Sequence, residues 1–288
     1  MDTGLAPSKT PQSNLSTPSA SGWLAKLELG FAYKNTKTVV RHRHHQGPLL
    51  IQKPFYPEGP VCHAILLHPP AGVVAGDHLH LQIQVDSKAH ALITTPGANK
   101  LYRSEGDTAH IEQHFHIADD GILEWLPQET IAFSDCQVQS NTHIHLQKGS
   151  KFLGWEITCL GRPAGEQFFS QGLYRQNLNV MCADKPLVLE RNRFQAGPLL
   201  QQAWGLNGHY CSGSLFAYPA TAELLQTARE IPCPQHCQTG ITLLEDTLVC
   251  RILSPQAETA RRYFTALWQS LRPQLLQRTA TIPRIWAT

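Results

Sequence analysis

The stretch Asp77-His78-Leu79-His80-Leu81-Gln82-Ile83-Gln84-Val85 decides the fold class. Polar and apolar residues alternate from His78 onward, and a period of two belongs to a strand with one wet face and one buried face. The same alternation returns at His114-Phe115-His116-Ile117 and His143-Ile144-His145-Leu146, with turn formers such as Asp119-Asp120-Gly121 between the runs. Short strands separated by turns predict a mainly β architecture. No fixed-length repeat stands out, which speaks against a propeller or a regular solenoid.

Two segments leave this pattern. Pro219 to Glu230 carries Leu224, Leu225 and Ala228 at helical spacing. Further on, Ser254 as cap and Pro255 at the first helical position introduce Ala260, Tyr263, Phe264, Leu267, Trp268 and Leu271, an amphipathic helix that Pro273 is expected to stop. Its aromatic stripe, Tyr263 and Trp268, suits a helix packed on a sheet and equally a partner surface, with Trp286 in the tail as a further partner candidate. At the other end, Met1 to Gly22 is a Ser/Thr/Pro-rich segment expected to be disordered. Residues 23–288 show no composition shift that would mark a linker and read as one β-rich domain.

The 288 residues carry 24 Lys and Arg against 22 Asp and Glu, a formal charge of +2, so the basic excess of a nucleic-acid binder is missing. Only 16% of residues are charged, against roughly 25% in an average domain, which suits a protein whose surface is covered in complexes. No window approaches the roughly 18 to 20 apolar residues of a membrane span, and the first residues show neither a secretory nor a transit pattern. Eight cysteines without a CxxC pair then predict reduced thiols in a cytoplasm. The tightest cluster, Cys233-Pro234-Gln235-His236-Cys237, has spacing for a metal or for a Pro-punctuated loop.

Phosphate loops of the GxxxxGK[ST] kind, GxGxxG, HExxH and GxSxG are all absent, so nucleotide hydrolysis and the commonest hydrolase chemistries lose their usual support. Histidine is abundant at 15 residues. The pairs His78/His80, His114/His116 and His143/His145 each place two imidazoles on one face of a strand, where they can approach one metal ion or simply be tolerated polar residues. An all-β metalloenzyme of cupin type is the alternative these pairs allow, but a suitably placed carboxylate and a distant third ligand are not evident. No tightly bound cofactor is expected.

Further strings carry a resemblance: Gln52-Lys53-Pro54-Phe55-Tyr56-Pro57-Glu58-Gly59, Cys62-His63, His68-Pro69-Pro70-Ala71-Gly72-Val73-Val74-Ala75-Gly76-Asp77, Thr94 to Ser104, Glu124 to Ile131, Gly154-Trp155-Glu156-Ile157, Leu160 to Glu166, Leu187 to Arg191 and Pro283 to Thr288. In this order they resemble the urease accessory protein family UreD, called UreH in some organisms. The resemblance implies a non-enzymatic maturation factor of stacked strands in a helix-like layout, with two α-helices towards the C-terminus. It implies action with UreF and the GTPase UreG on apo-urease, with transient Ni2+ passing through an internal channel towards the carbamylated-lysine site of the enzyme. By motif match the channel residues are Asp77, Asn99 and Glu190. Asn99 stands where the family more often has a small hydroxyl residue. Ala71 and Ala75 stand where it has glycines, and alanine does not readily take positive φ.

Overall fold

The computed structural model describes residues 22–70 and 72–287. The segment expected to be disordered, Gly22 apart, lies outside the described residues, as does Ala71. In chain order the strands are β1 (Leu24–Lys34), β2 (Lys37–Gln46), β3 (Leu50–Ile51), β4 (Cys62–Leu67), β5 (His78–Val85), β6 (His90–Thr94), β7 (Asn99–Leu101), β8 (Ala109–Ile117) and β9 (Ile122–Leu126). They continue as β10 (Thr130–Ala132), β11 (Gln137–Leu146), β12 (Lys151–Arg162), β13 (Gln167–Phe168), β14 (Leu173–Cys182), β15 (Lys185–Gln195), β16 (Cys211–Tyr218), β17 (Gln238–Leu244) and β18 (Thr247–Ser254). Helix α1 (Ala222–Arg229) lies between β16 and β17, and α2 (Ala257–Leu276) follows β18.

One sheet has the order β15-β14-β11-β8-β5-β1-β2. Its five inner strands are all parallel, and only the two outer pairs are antiparallel. The second sheet is parallel through β4-β6-β9-β12 and antiparallel beyond, through β16, β18 and β17. A third, short parallel run joins β7, β10 and the later half of β12. Winding from β5 through β6 and β7 to β8 therefore completes one coil, and the next coils stack on it. The layout is solenoid-like, the helix-like stacking of strands that the resemblance implies, and it is not a regular solenoid. His78 aligns with His110 and His110 with Gln139, so successive coils differ in length and no constant period survives in the sequence.

Burial explains the two patterns of strand sequence. The first sheet packs one face inward, with Leu79, Leu81, Ile83 and Val85 buried beside Phe115, Ile117, Ile144 and Leu146, and so its strands alternate. The second sheet is covered on both faces, by the first sheet on one side and by the helices on the other. Strands buried twice read as continuous apolar runs, as in Cys62-His63-Ala64-Ile65-Leu66-Leu67.

Helix α1 is capped by Thr221, whose hydroxyl accepts from the Leu224 amide. Helix α2 differs from its expected bounds at both ends. Ser254 exchanges hydrogen bonds with Gln256, and the helix begins after Gln256. It then runs through Pro273 to Leu276. The proline is exposed, while Leu271, Leu275 and Leu276 on the opposite side are buried and hold the last turn down. The Lys151 ammonium satisfies the Leu275 carbonyl from outside the helix. Tertiary packing here outweighs the roughly 3 kcal/mol helix penalty of proline.

Tyr263 and Trp268 are 4% and 0% exposed, and Trp286 packs on Trp155 and Trp268 while its indole donates to the Thr94 hydroxyl at 2.8 Å. In this chain the aromatic stripe is core, not a surface offered to a partner. A second correction concerns the thiols: Cys159 and Cys211, opposite each other on β12 and β16, form a disulfide, while six other cysteines are free. Cys233 is exposed and its thiol points at the Cys237 carbonyl, so the Cys233–Cys237 segment is a loop. No helix among the described residues is long and apolar enough to cross a membrane.

Candidate functional site

Between the first sheet and the turns that leave the second, the coils enclose a cavity of about 150 Å³. Leu79, Leu81, Ile111 and Trp125 supply apolar wall, and the Thr95-Pro96-Gly97-Ala98 turn with Asn99 closes one side. Gln113, Ser140, Gln176 and Glu156 break the apolar wall with polar groups. They do so because β8 and β14 each carry one polar residue at inward positions that are otherwise apolar, Gln113 and Gln176, and β11 carries two, Ser140 and Thr142; the parallel register sets Thr142 beside Gln113 and Ser140 beside Gln176.

Glu156 is the one carboxylate in the middle of β12, within the run Phe152 to Leu160 that is apolar but for Thr158. Its carboxylate accepts from the Thr142 hydroxyl at 3.0 Å and from the Gln176 amide at 2.8 Å. Burial raises its pKa to about 7, and the negative charge of Glu190 nearby adds to the rise. A carboxyl balanced between its charged and neutral forms near neutrality can take up a proton or a cation with little change elsewhere. The string Gly154-Trp155-Glu156-Ile157 does not by itself assign Glu156 a role. The signal was there: a lone carboxylate in an apolar strand.

The three residues matched to a channel occupy different settings. Asn99 lines the cavity. Glu190 on β15 points inward opposite Leu178 and is held by Arg251 through Nε at 3.0 Å and by the Ser214 hydroxyl at 3.2 Å. Asp77, 6% exposed, spends both carboxylate oxygens on backbone amides, those of Trp23 and Val74, each at 3.0 Å. It closes the turn before β5, yet its charge reaches His68, whose imidazole lines the cavity with Nδ1 unpartnered. Burial lowers the pKa of His68 despite that charge. Gly72 in the same turn faces the Tyr102 ring so closely that an added Cβ would lie 2.2 Å from it, and Gly76 has φ of 75°. Ala75 is not among the residues with positive φ, so its methyl is tolerated.

Beneath α2 lies a second polar cluster with a structural role. Glu124, 0% exposed, accepts from His90 at 2.7 Å, from the Trp268 indole at 2.6 Å and from Arg272 Nε at 2.9 Å. Arg272 also donates to both oxygens of Glu58 at 2.8 Å, and Glu58 meets His63 at 2.6 Å. Burial alone would raise the Glu124 carboxyl, but His90 and Arg272 outweigh it and hold its pKa at about 2. Strings around Glu58 and Glu124, far apart in the chain, thus meet to anchor the last helix.

The His-x-His pairs project from the outer face of the first sheet. There His42 and His44 of β2, His78 and His80 of β5, His110, His114 and His116 of β8, and His143 and His145 of β11 share one surface. Rings stack between coils, His114 on His143 at 4.8 Å and His116 on His145 at 4.7 Å. This corrects the cupin alternative, whose metal sits inside a barrel: here the pairs face out of a solenoid.

Stacked coils around a mainly apolar cavity, with one carboxylate and several neutral polar groups in its wall, define a β-solenoid scaffold with a chamber between its sheets. The family model described as "UreD urease accessory protein" matches residues 24–287. Over 267 residues the chain is 43% identical to the urease accessory protein UreD of Citrobacter koseri, covering 93% of this chain and 92% of that one. It is 41% identical to the UreD of Alcanivorax borkumensis, covering 96% of both chains, and 40% identical to that of Aliivibrio fischeri, covering 94% of this chain and 98% of the relative. The chain belongs to the UreD urease accessory protein family. Its relatives carry the name of an accessory protein and not of an enzyme.

Proposed function

We propose that this chain is a cytoplasmic maturation factor that binds apo-urease and, with UreF and the GTPase UreG, supports nickel insertion by conducting the ion through its interior. The observation that carries the conduit reading is Glu156, a half-buried carboxylate on the cavity wall with amide and hydroxyl neighbours. A conduit must bind its ion well enough to admit it and weakly enough to release it. Isolated oxygen ligands that leave the ion part of its water suit this better than clustered thiolates or imidazoles. Asn99 shares the cavity wall with Glu156, Glu190 lies near enough for its charge to act on Glu156, and Asp77 supports the turn before β5. Urease enters through the name of the family, whereas UreF, UreG and the cytoplasm rest on the resemblance and the lack of an export pattern in the sequence.

Deleting the gene while leaving the urease subunits intact tests the reading. Assembled urease with little nickel and little activity is expected; full activity at ordinary nickel supply overturns it. Glu190→Ala and Asn99→Ala should keep the accessory complex together while lowering the nickel delivered. Asp77→Ala should also lower folding stability, since two backbone amides lose their acceptor.

A further inference from the structure

Among the described residues, one group of histidine and carboxylate side chains brings three ligand atoms within 4.8 Å of one another: Glu112, His114 and His143. It lies on the outer face of the first sheet, whereas Glu156 points into the interior; of the three residues only Glu112, between Ile111 and Gln113, also borders the cavity. Its geometry follows from the solenoid. Glu112 and His114 are two apart on β8 and share a face, and His143 of β11 is in direct register with His114. The two imidazole planes are parallel to within 8°, so both rings can turn a nitrogen to the same side.

We infer that Glu112, His114 and His143 form a surface site for a borderline divalent cation of the Ni2+, Zn2+ or Cu2+ type. Two imidazoles and one carboxylate are the donor set that such ions prefer over Mg2+ or Ca2+, and solvent supplies the remaining positions. Nitrogen ligands bind such ions at about 2.0 to 2.1 Å, so two donors to one ion lie roughly 3 to 4 Å apart. Small side-chain rotations close the present spacing to that value. Glu112 is oriented from behind, the Asn141 amide donating to it and Asn177 donating to Asn141 at 2.8 Å, while His143 Nδ1 accepts from the Asn179 amide at 3.0 Å, a contact that an ion at that nitrogen replaces. Such supporting contacts fix ligand direction and raise affinity. The remaining outer-face imidazoles, His116 and His145 nearest, surround the site and raise the local concentration of donors. This inference stands independently of the conduit.

The test is equilibrium dialysis and calorimetry of the full chain with Ni2+, repeated with Zn2+ and with Mg2+ as the hard-cation control. The variant His114→Gln/His143→Gln, on an exposed face, should keep the circular dichroism of the unaltered chain and lose one bound Ni2+, or bind it roughly tenfold or more weakly. Glu156→Gln should leave that ion in place. Equal Ni2+ stoichiometry and affinity in the double variant would overturn the site, as would Mg2+ competing as well as Zn2+. Should the double variant misfold, paramagnetic broadening by Ni2+ in the unaltered, histidine-labelled chain decides: the site requires His114 and His143 signals to broaden first, and broadening that starts elsewhere contradicts it.

Discussion

Two carboxylates, Glu124 fully buried and Glu156 half-buried, show how neighbours, more than burial itself, set the behaviour of a residue here. Glu124 is wrapped by His90, Trp268 and Arg272 and stays charged, whereas Glu156 meets only neutral donors and is raised to about 7. Removing the single cation between Glu58 and Glu124 should therefore be severe: Arg272→Met is expected to destabilise the chain by about 3 to 5 kcal/mol, read by urea unfolding. Glu124 has a depressed folded pKa, so its contribution is fully present above its ordinary 4.5 and is lost as pH falls towards 2. Glu156 works in the opposite direction. Its folded pKa is raised, so its penalty is absent below about pH 4.5 and grows as pH climbs through 7. Glu156→Gln should then unfold at a higher temperature than the unaltered chain at pH 8, with the gap shrinking at pH 5; a gap independent of pH would contradict this assignment.

At the scale of elements, the alternating strands were legible because each reports its own wet and dry faces. β5, β8 and β11 keep polar residues out and apolar ones in over most of their length. The C-terminal helix was legible for the same reason, but its stop was not. Pro273 is a local signal, and the buried Leu275 and Leu276 that override it act through contacts that no local pattern displays. Since the proline faces solvent, Pro273→Ala should raise stability by about 1 to 3 kcal/mol, measured as a shift in the urea midpoint. Trp286 is the converse case, a tail residue that resembles a docking aromatic and instead fills the space between Trp155 and Trp268. Truncation after Thr281 should cost about 2 kcal/mol or more, seen in the same unfolding experiment, and any loss of partner capture must be judged against that loss of stability.

For the whole molecule, the winding itself was hidden from local reading. Residues stacked in register, such as His114 and His143, belong to successive coils of unequal length, so their meeting depends on turns that add or remove residues. The cavity was hidden for the same reason, since Gln113, Ser140, Glu156 and Gln176 come from four different strands. Order among family strings pointed to the layout, and the physics of alternation supplied its strands. The proposed conduit joins the two: if the cavity between the coils conducts the ion, Glu156 on its wall is the group that holds it in transit. It is tested most directly by the nickel content of urease purified from cells in which Glu156→Gln replaces the native chain. The account predicts a folded variant that still assembles with its partners and a severalfold lower nickel content per urease. Urease loaded with nickel to the level supported by the unaltered chain would contradict it.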